Sequence, residues 1–129
     1  MEKLHEINTE KAPKAIGPYS QGIVCGDFLF TAGQIPVDPK TGLLAEGGIE
    51  GQAKQVFENL KAILENAGSD FSSVVKTTVF LQSLNDFAKV NDIYASYFKK
   101  PYPARSCIEI SALPKGSLIE IEVIASVKK

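Results

Sequence analysis

The chain has 129 residues, of which 44% are hydrophobic and 22% charged, with a net charge of −1. A chain of this length buries roughly 65–70% of its unfolded surface, so it can hold one core without disulfide or metal staples, and its composition excludes disorder. The near-neutral charge speaks against a basic nucleic-acid footprint, and one histidine with two scattered cysteines cannot assemble the usual metal-ligand sets. Cys25 and Cys107 therefore read as buried free thiols of a reducing compartment. The first residues are charged, with no signal-peptide run, and no segment approaches the ~20 apolar residues of a membrane helix. A cytoplasmic protein with no membrane partner is expected, folded as a single domain over residues 1–129 with no repeat or linker.

Taken in chain order, the first third reads as strands: a short piece over residues 4–7, then 20–25, a Gly26-Asp27 turn, and 27 or 28 to 32, the two longer pieces forming a hairpin. Residues 36–42 carry two prolines, an aspartate and a glycine, which predicts an exposed loop. The Gly47-Gly48 pair lacks the lysine and spacing of a phosphate loop and reads as a hinge. From Ile49 the residues Ala53, Val56, Phe57, Leu60, Ile63, Leu64 and Ala67 recur at helical spacing, closed by Gly68. Residues 74–81 are β-branched and apolar, a strand with little solvent on either face. A second helix follows, capped by Asn85 or Asp86, with Phe87, Val90, Tyr94, Tyr97 and Phe98 as its stripe and Pro101 and Pro103 as its stop. Strands over 105–110 and 118–127 complete the chain.

Three strands, helix, strand, helix and two strands make an α+β arrangement, both helices lying on one face of a sheet. Phe28-Leu29-Phe30 and Val79-Phe80-Leu81 nevertheless put large apolar side chains on both faces. The face without helices must meet something other than water, and another copy of the chain is the simplest cover.

Arg105 is a cation in the strand-like run Pro103-Ala104-Arg105-Ser106-Cys107, and a guanidinium offers a planar fork matched to a carboxylate. Alternation puts Arg105, Cys107 and Glu109 on one strand face. In the last strand Ile119, Ile121, Val123, Ala125 and Val127 share the face expected to meet the helices, leaving Glu120 and Glu122 opposite. Arg105 and Glu120 are both expected on the helix-free face. An ion pair of Arg105 with Glu109, Glu120 or Glu122 is the alternative to a ligand site. The 111–116 connection leaves open whether the last two strands pair directly or flank a third. Cys107 as a nucleophile would need His5, with no evident link between them. Tyr19, held by Gly17-Pro18 before a strand, either walls a small pocket or simply packs.

Read together, Gly17-Pro18-Tyr19-Ser20-Gln21-Gly22, Thr31-Ala32-Gly33-Gln34-Ile35-Pro36, Asn85-Asp86-Phe87-Ala88-Lys89-Val90-Asn91, Pro103-Ala104-Arg105-Ser106-Cys107 and Ile119-Glu120-Ile121-Glu122 closely resemble the RidA (YjgF-like) family, nearly end to end. The resemblance implies a chorismate-mutase-like, mixed six-stranded α+β fold with two helices on one face. It also implies a homotrimer with clefts between subunits, and hydrolysis of 2-imino acids to 2-keto acids and ammonia. Such imines arise from enamines released by pyridoxal-phosphate dehydratases. The resemblance implies no cofactor, and the near-neutral charge leaves no nucleic-acid partner expected. By the same resemblance Arg105 binds the substrate carboxylate, Glu120 orients or activates water, Cys107 lines the site through its backbone, and Tyr19, Gly33, Phe87 and Asn91 line the cleft. One departure stands out: many relatives carry serine where this chain has Ala32, and Thr31 is expected to point to the other face.

Overall fold

The computed structural model describes residues 3–127. Its strands are β1 (Leu4–Ile7), β2 (Gly22–Cys25), β3 (Phe28–Thr31), β4 (Val74–Leu81), β5 (Ala104–Glu109) and β6 (Ile119–Ser126), with helices α1 (Gly48–Asn66) and α2 (Phe87–Tyr97). They form one six-stranded sheet in the order β1-β2-β3-β6-β4-β5. Every pair is antiparallel except β4 with β5, the pair joined through α2. The last two strands therefore flank a third, β4, which the long 111–116 connection permits.

Alternation separates the two faces sharply. On one lie Leu29, Val79, Leu81, Ile119, Ile121, Val123 and Ala125, all essentially inaccessible, beneath Val56, Phe57, Leu60, Ile63 and Leu64 of α1 and Val90 and Tyr94 of α2. Each buried Val, Leu, Ile or Phe among them contributes about 1.5–3 kcal/mol by leaving water. The opposite face carries Phe28, Phe30 and Ile108, exposed at 43%, 46% and 46%, with Phe80 and Ile124 half-buried beside them. Apolar side chains thus do occupy both faces of β3 and β4, as the sequence predicts, and among the described residues no helix covers the second face.

Three local expectations change. Neither Asn85 nor Asp86 caps α2 with its side chain; Ser83 Oγ accepts the Asn85 N–H at 3.1 Å and starts a 3₁₀ turn that runs into the helix. The 36–42 segment is not wholly exposed, because Val37 bridges to Leu44 and is 6% accessible. The buried Asn59 amide, donating to Ile35 O at 3.2 Å and Val37 O at 2.9 Å, anchors that segment to α1. Cys25 and Cys107 are free but only half-buried. The α1 terminus matches expectation: Gly68, at φ +75°, takes the left-handed conformation that ends the helix. Among the described residues no helix is long and apolar enough to cross a membrane.

Candidate functional site

β5 is an edge strand, and its register places Arg105 beside Thr77 of β4, which in turn faces Val123 of β6. Residues in register share a face, so Arg105 lies on the helix side and Glu120 on the open side. This corrects the sequence expectation that both project away from the helices. That expectation assumed the apolar residues of every strand meet the helices; on edge strand β5 the apolar Ile108 faces outward, and α2 meets Arg105 instead. The guanidinium Nη1 donates to Asn91 Oδ1 at 2.7 Å, and its Cζ lies 5.3 Å from the Phe87 ring centroid and 4.8 Å from that of Tyr94. Among the described residues its neighbours are one amide and two aromatic faces, leaving the rest of the fork for a ligand.

Asn91, Tyr94, Ala95, Tyr102, Pro103 and Arg105 line a recess of about 420 Å³ here. Cys107 follows Arg105 on the same face, and burial pushes its thiol up while Arg105 pulls the other way. A thiol held protonated is a poor nucleophile, and His5 stands on β1 at the opposite edge of the sheet. The backbone of Cys107 is better placed. Ile110 N–H donates to Leu81 O across the β4–β5 pair, so alternation along the strand turns the N–H and C=O of Cys107 to the free edge.

Glu120 belongs to a separate group. From Phe30↔Ile124 to Gln34↔Ile121 the β3 side advances by four residues and the β6 side by three. The extra residue is a bulge at Ala32–Gly33, a device common beside functional sites. Thr31 points to the helix side and accepts the Val123 N–H through Oγ1 at 3.0 Å, as its predicted orientation requires. Gly33 makes room for Glu120: a Cβ there would lie 2.7 Å from Glu120 Cδ and would overlap Oε2. Half-buried among these strands, the Glu120 carboxyl is raised above its ordinary range by burial and then by the neighbouring Glu122 charge. Such a group suits proton transfer.

Gly33 and Tyr19 line one cavity of about 290 Å³, with Gln21, Gln34, Ile35 and Val37 among its walls. Tyr19 is fixed by its own turn, its N–H donating to Gly17 O at 2.9 Å and its hydroxyl accepting from Ile16 N at 3.3 Å. Behind it the buried Gln21 amide donates to the carbonyls of Thr9, Ala12 and Pro13, holding the entry segment in place.

The site residues expected from sequence thus fall into two clusters within one chain: Arg105, Asn91, Phe87 and Cys107 at the β5 edge, and Glu120, Gly33 and Tyr19 around the bulge. Asn91 and Phe87 meet Arg105 directly. Sequence reasoning did not single out Tyr94, which reads as core stripe, or Thr77, which reads as an ordinary strand former. The helical recurrence of Phe87, Asn91 and Tyr94 was the available signal.

A helix-covered mixed sheet with a bulge before the segment that returns to β6 defines a Rid-type α+β protein. A protein of the conserved Rid family from Yersinia pestis superposes with a TM-score of 0.94 at 52% identity, over 97% of this chain and 100% of that one. The family model described as Endoribonuclease L-PSP matches residues 9–127, and the chain belongs to this family, the RidA (YjgF-like) proteins. A RutC family protein of Pyrococcus horikoshii is 60% identical over 119 residues, 92% of this chain and 94% of its own length. A Salmonella typhimurium relative named 2-iminobutanoate/2-iminopropanoate deaminase is 55% identical over 122 residues, 92% of this chain and 94% of its own.

Proposed function

We propose that the protein is a 2-iminobutanoate/2-iminopropanoate deaminase, hydrolysing 2-imino acids to 2-keto acids and ammonia in clefts between the subunits of a homotrimer. The observation that carries the reading is Arg105, a guanidinium oriented by Asn91 and two ring faces with its remaining donors uncommitted. The name of the Salmonella typhimurium relative supports the same substrate class. Arg105 and Glu120 face opposite ways from one sheet, so a cleft using both requires a second copy. The apolar open face gives that copy a surface to cover.

The chemistry needs two protein groups. Arg105 holds the substrate carboxylate in two-point register, with the Cys107 backbone at the same edge, and thereby fixes the C=N carbon. Glu120, ionised, takes a proton from water; the hydroxyl adds to the imine carbon, giving a tetrahedral carbinolamine. Return of that proton to nitrogen completes the neutral carbinolamine; Glu120 then relays the carbinolamine hydroxyl proton to the same nitrogen, and as C=O forms the C–N bond breaks, releasing ammonia and leaving the keto acid. General acid and base work of this kind contributes about 10²–10⁴-fold, and an imine that also hydrolyses unaided asks for little more. No redox step occurs.

The family description invites a second reading, RNA cleavage. It would need several phosphate contacts, and a chain of net charge −1 with one histidine supplies them poorly. A non-catalytic carboxylate sensor is the other competitor. Imine generated in situ by a threonine dehydratase separates the first reading from the other two: wild type accelerates keto-acid release and Arg105→Ala does not, whereas equal rates for both would overturn the assignment. Mixed and reassembled Arg105→Ala and Glu120→Gln chains recover part of the activity if the two groups meet between copies. No recovery would place the site within one chain.

A further inference from the structure

Tyr94 is 6% exposed and joins two neighbouring positions on the sheet. Its hydroxyl shares a 2.8 Å hydrogen bond with Thr77 Oγ1, itself wholly buried, while its ring face receives Arg105 at 4.8 Å. Thr77 and Arg105 are register partners on β4 and β5, so the phenol is pinned at one strand and presents its π-face to the next. Phe98 at 4.5 Å and Phe57 at 5.9 Å pack the same ring from the core side. The ring has little freedom to turn, and the guanidinium beside it inherits that order. Resting on the imine-hydrolase reading, we propose that Tyr94, locked by Thr77, is a positioning residue that pre-sets the Arg105 fork for the substrate carboxylate.

The physical consequence is specific. A guanidinium on a long stem loses side-chain freedom when a carboxylate captures it. The Tyr94 face and the Asn91 amide remove that freedom before the substrate arrives, so affinity is gained at no expense to the later proton transfers at Glu120. The effect belongs in KM and in carboxylate affinity, with kcat nearly untouched.

Titration with 2-oxobutanoate, the product of the proposed reaction, tests this alongside turnover. Tyr94→Leu should weaken binding and raise KM by about three- to thirty-fold, the range for loss of a cation–π contact, with kcat within a few-fold. Tyr94→Phe, which keeps the ring face between Phe57 and Phe98 but loses the bond to Thr77, should fall between wild type and Tyr94→Leu. Pentafluorophenylalanine at position 94 keeps the ring's shape while reversing its face potential; it should behave like Tyr94→Leu and serves if that variant folds poorly. Guanidinium NMR supplies the readout that simple destabilisation does not move: rotation about the Arg105 Cζ–Nε bond, restricted in wild type, becomes averaged in Tyr94→Leu. Unchanged Arg105 rotation and affinity in Tyr94→Leu would overturn the proposal, as would Tyr94→Phe failing as badly as Tyr94→Leu. If wild type shows no imine hydrolysis the functional reading fails, yet the rotation measurement still decides the Tyr94 role.

Discussion

Gly33→Ala tests the bulge half of the site with a single methyl group. The added Cβ would stand 2.7 Å from Glu120 Cδ and 3.1 Å from Cγ, against an optimum near 3.5–4.0 Å for carbon pairs. The carboxyl carbon must retreat by about 1 Å. Because the obstacle is the far end of a flexible side chain, the fold relaxes at low cost, about 1 kcal/mol for a displaced rotamer. Catalysis is less tolerant, since a displacement of about 1 Å can cost 10²-fold, equivalent to about 2.7 kcal/mol of transition-state stabilisation. The activity effect therefore exceeds the stability effect. Dehydratase-coupled kinetics, corrected for unassisted hydrolysis, should show kcat down by about 10²-fold with KM close to wild type and a nearly unchanged melting temperature. Glu120→Gln should lose most activity alone, and adding Gly33→Ala to it should cost little more, because both act through one group. A kcat within a few-fold of wild type, or losses that simply multiply in the double variant, would refute the reasoning.

Further outcomes follow from the same geometry. Glu120 must be ionised to accept a proton, so activity rises as pH climbs through its raised pKa. Glu122→Gln removes the like charge, lowers that pKa and moves the acidic limb of the kcat profile to lower pH; the burial contribution persists, so the limb stays above the ordinary carboxylate range. An unmoved limb would detach Glu120 from the profile. Asn59→Ala strips the buried amide from the carbonyls of Ile35 and Val37 and should destabilise by about 2–4 kcal/mol, read as a lower urea midpoint. A loss below about 0.5 kcal/mol, the scale of an ordinary surface substitution, would show that water replaces the amide there.

The element order was legible because each segment carried a strong local signal. Apolar runs on either side of a Gly26-Asp27 turn gave β2 and β3, and the α1 stripe ran to Gly68 as the spacing said. Alternation also gave the correct partition of residues within β5 and within β6. It could not say how the two partitions face each other, since that depends on β4 lying between them and on which residue of β4 stands beside Arg105. The bulge escaped notice for a similar reason: an extra residue in a ladder is defined only against its partner strand. Asn91 and Phe87 entered through family resemblance as cleft residues, while their contacts with Arg105 are a matter of tertiary geometry.

The Ala32–Gly33 bulge also sets the phase of everything after it. Without the extra residue, Gln34 would fall on the open face with Phe28 and Phe30; with it, Gln34 pairs with Ile121 and lies on the covered side, 5% exposed. The half-period shift brings the backbone of Ile35 and Val37 within reach of Asn59 on α1. Chain length between Thr31 and Gln34 is thus a counted quantity, like the teeth between two meshed gears, whereas the exposed tip at 40–43 carries no such count.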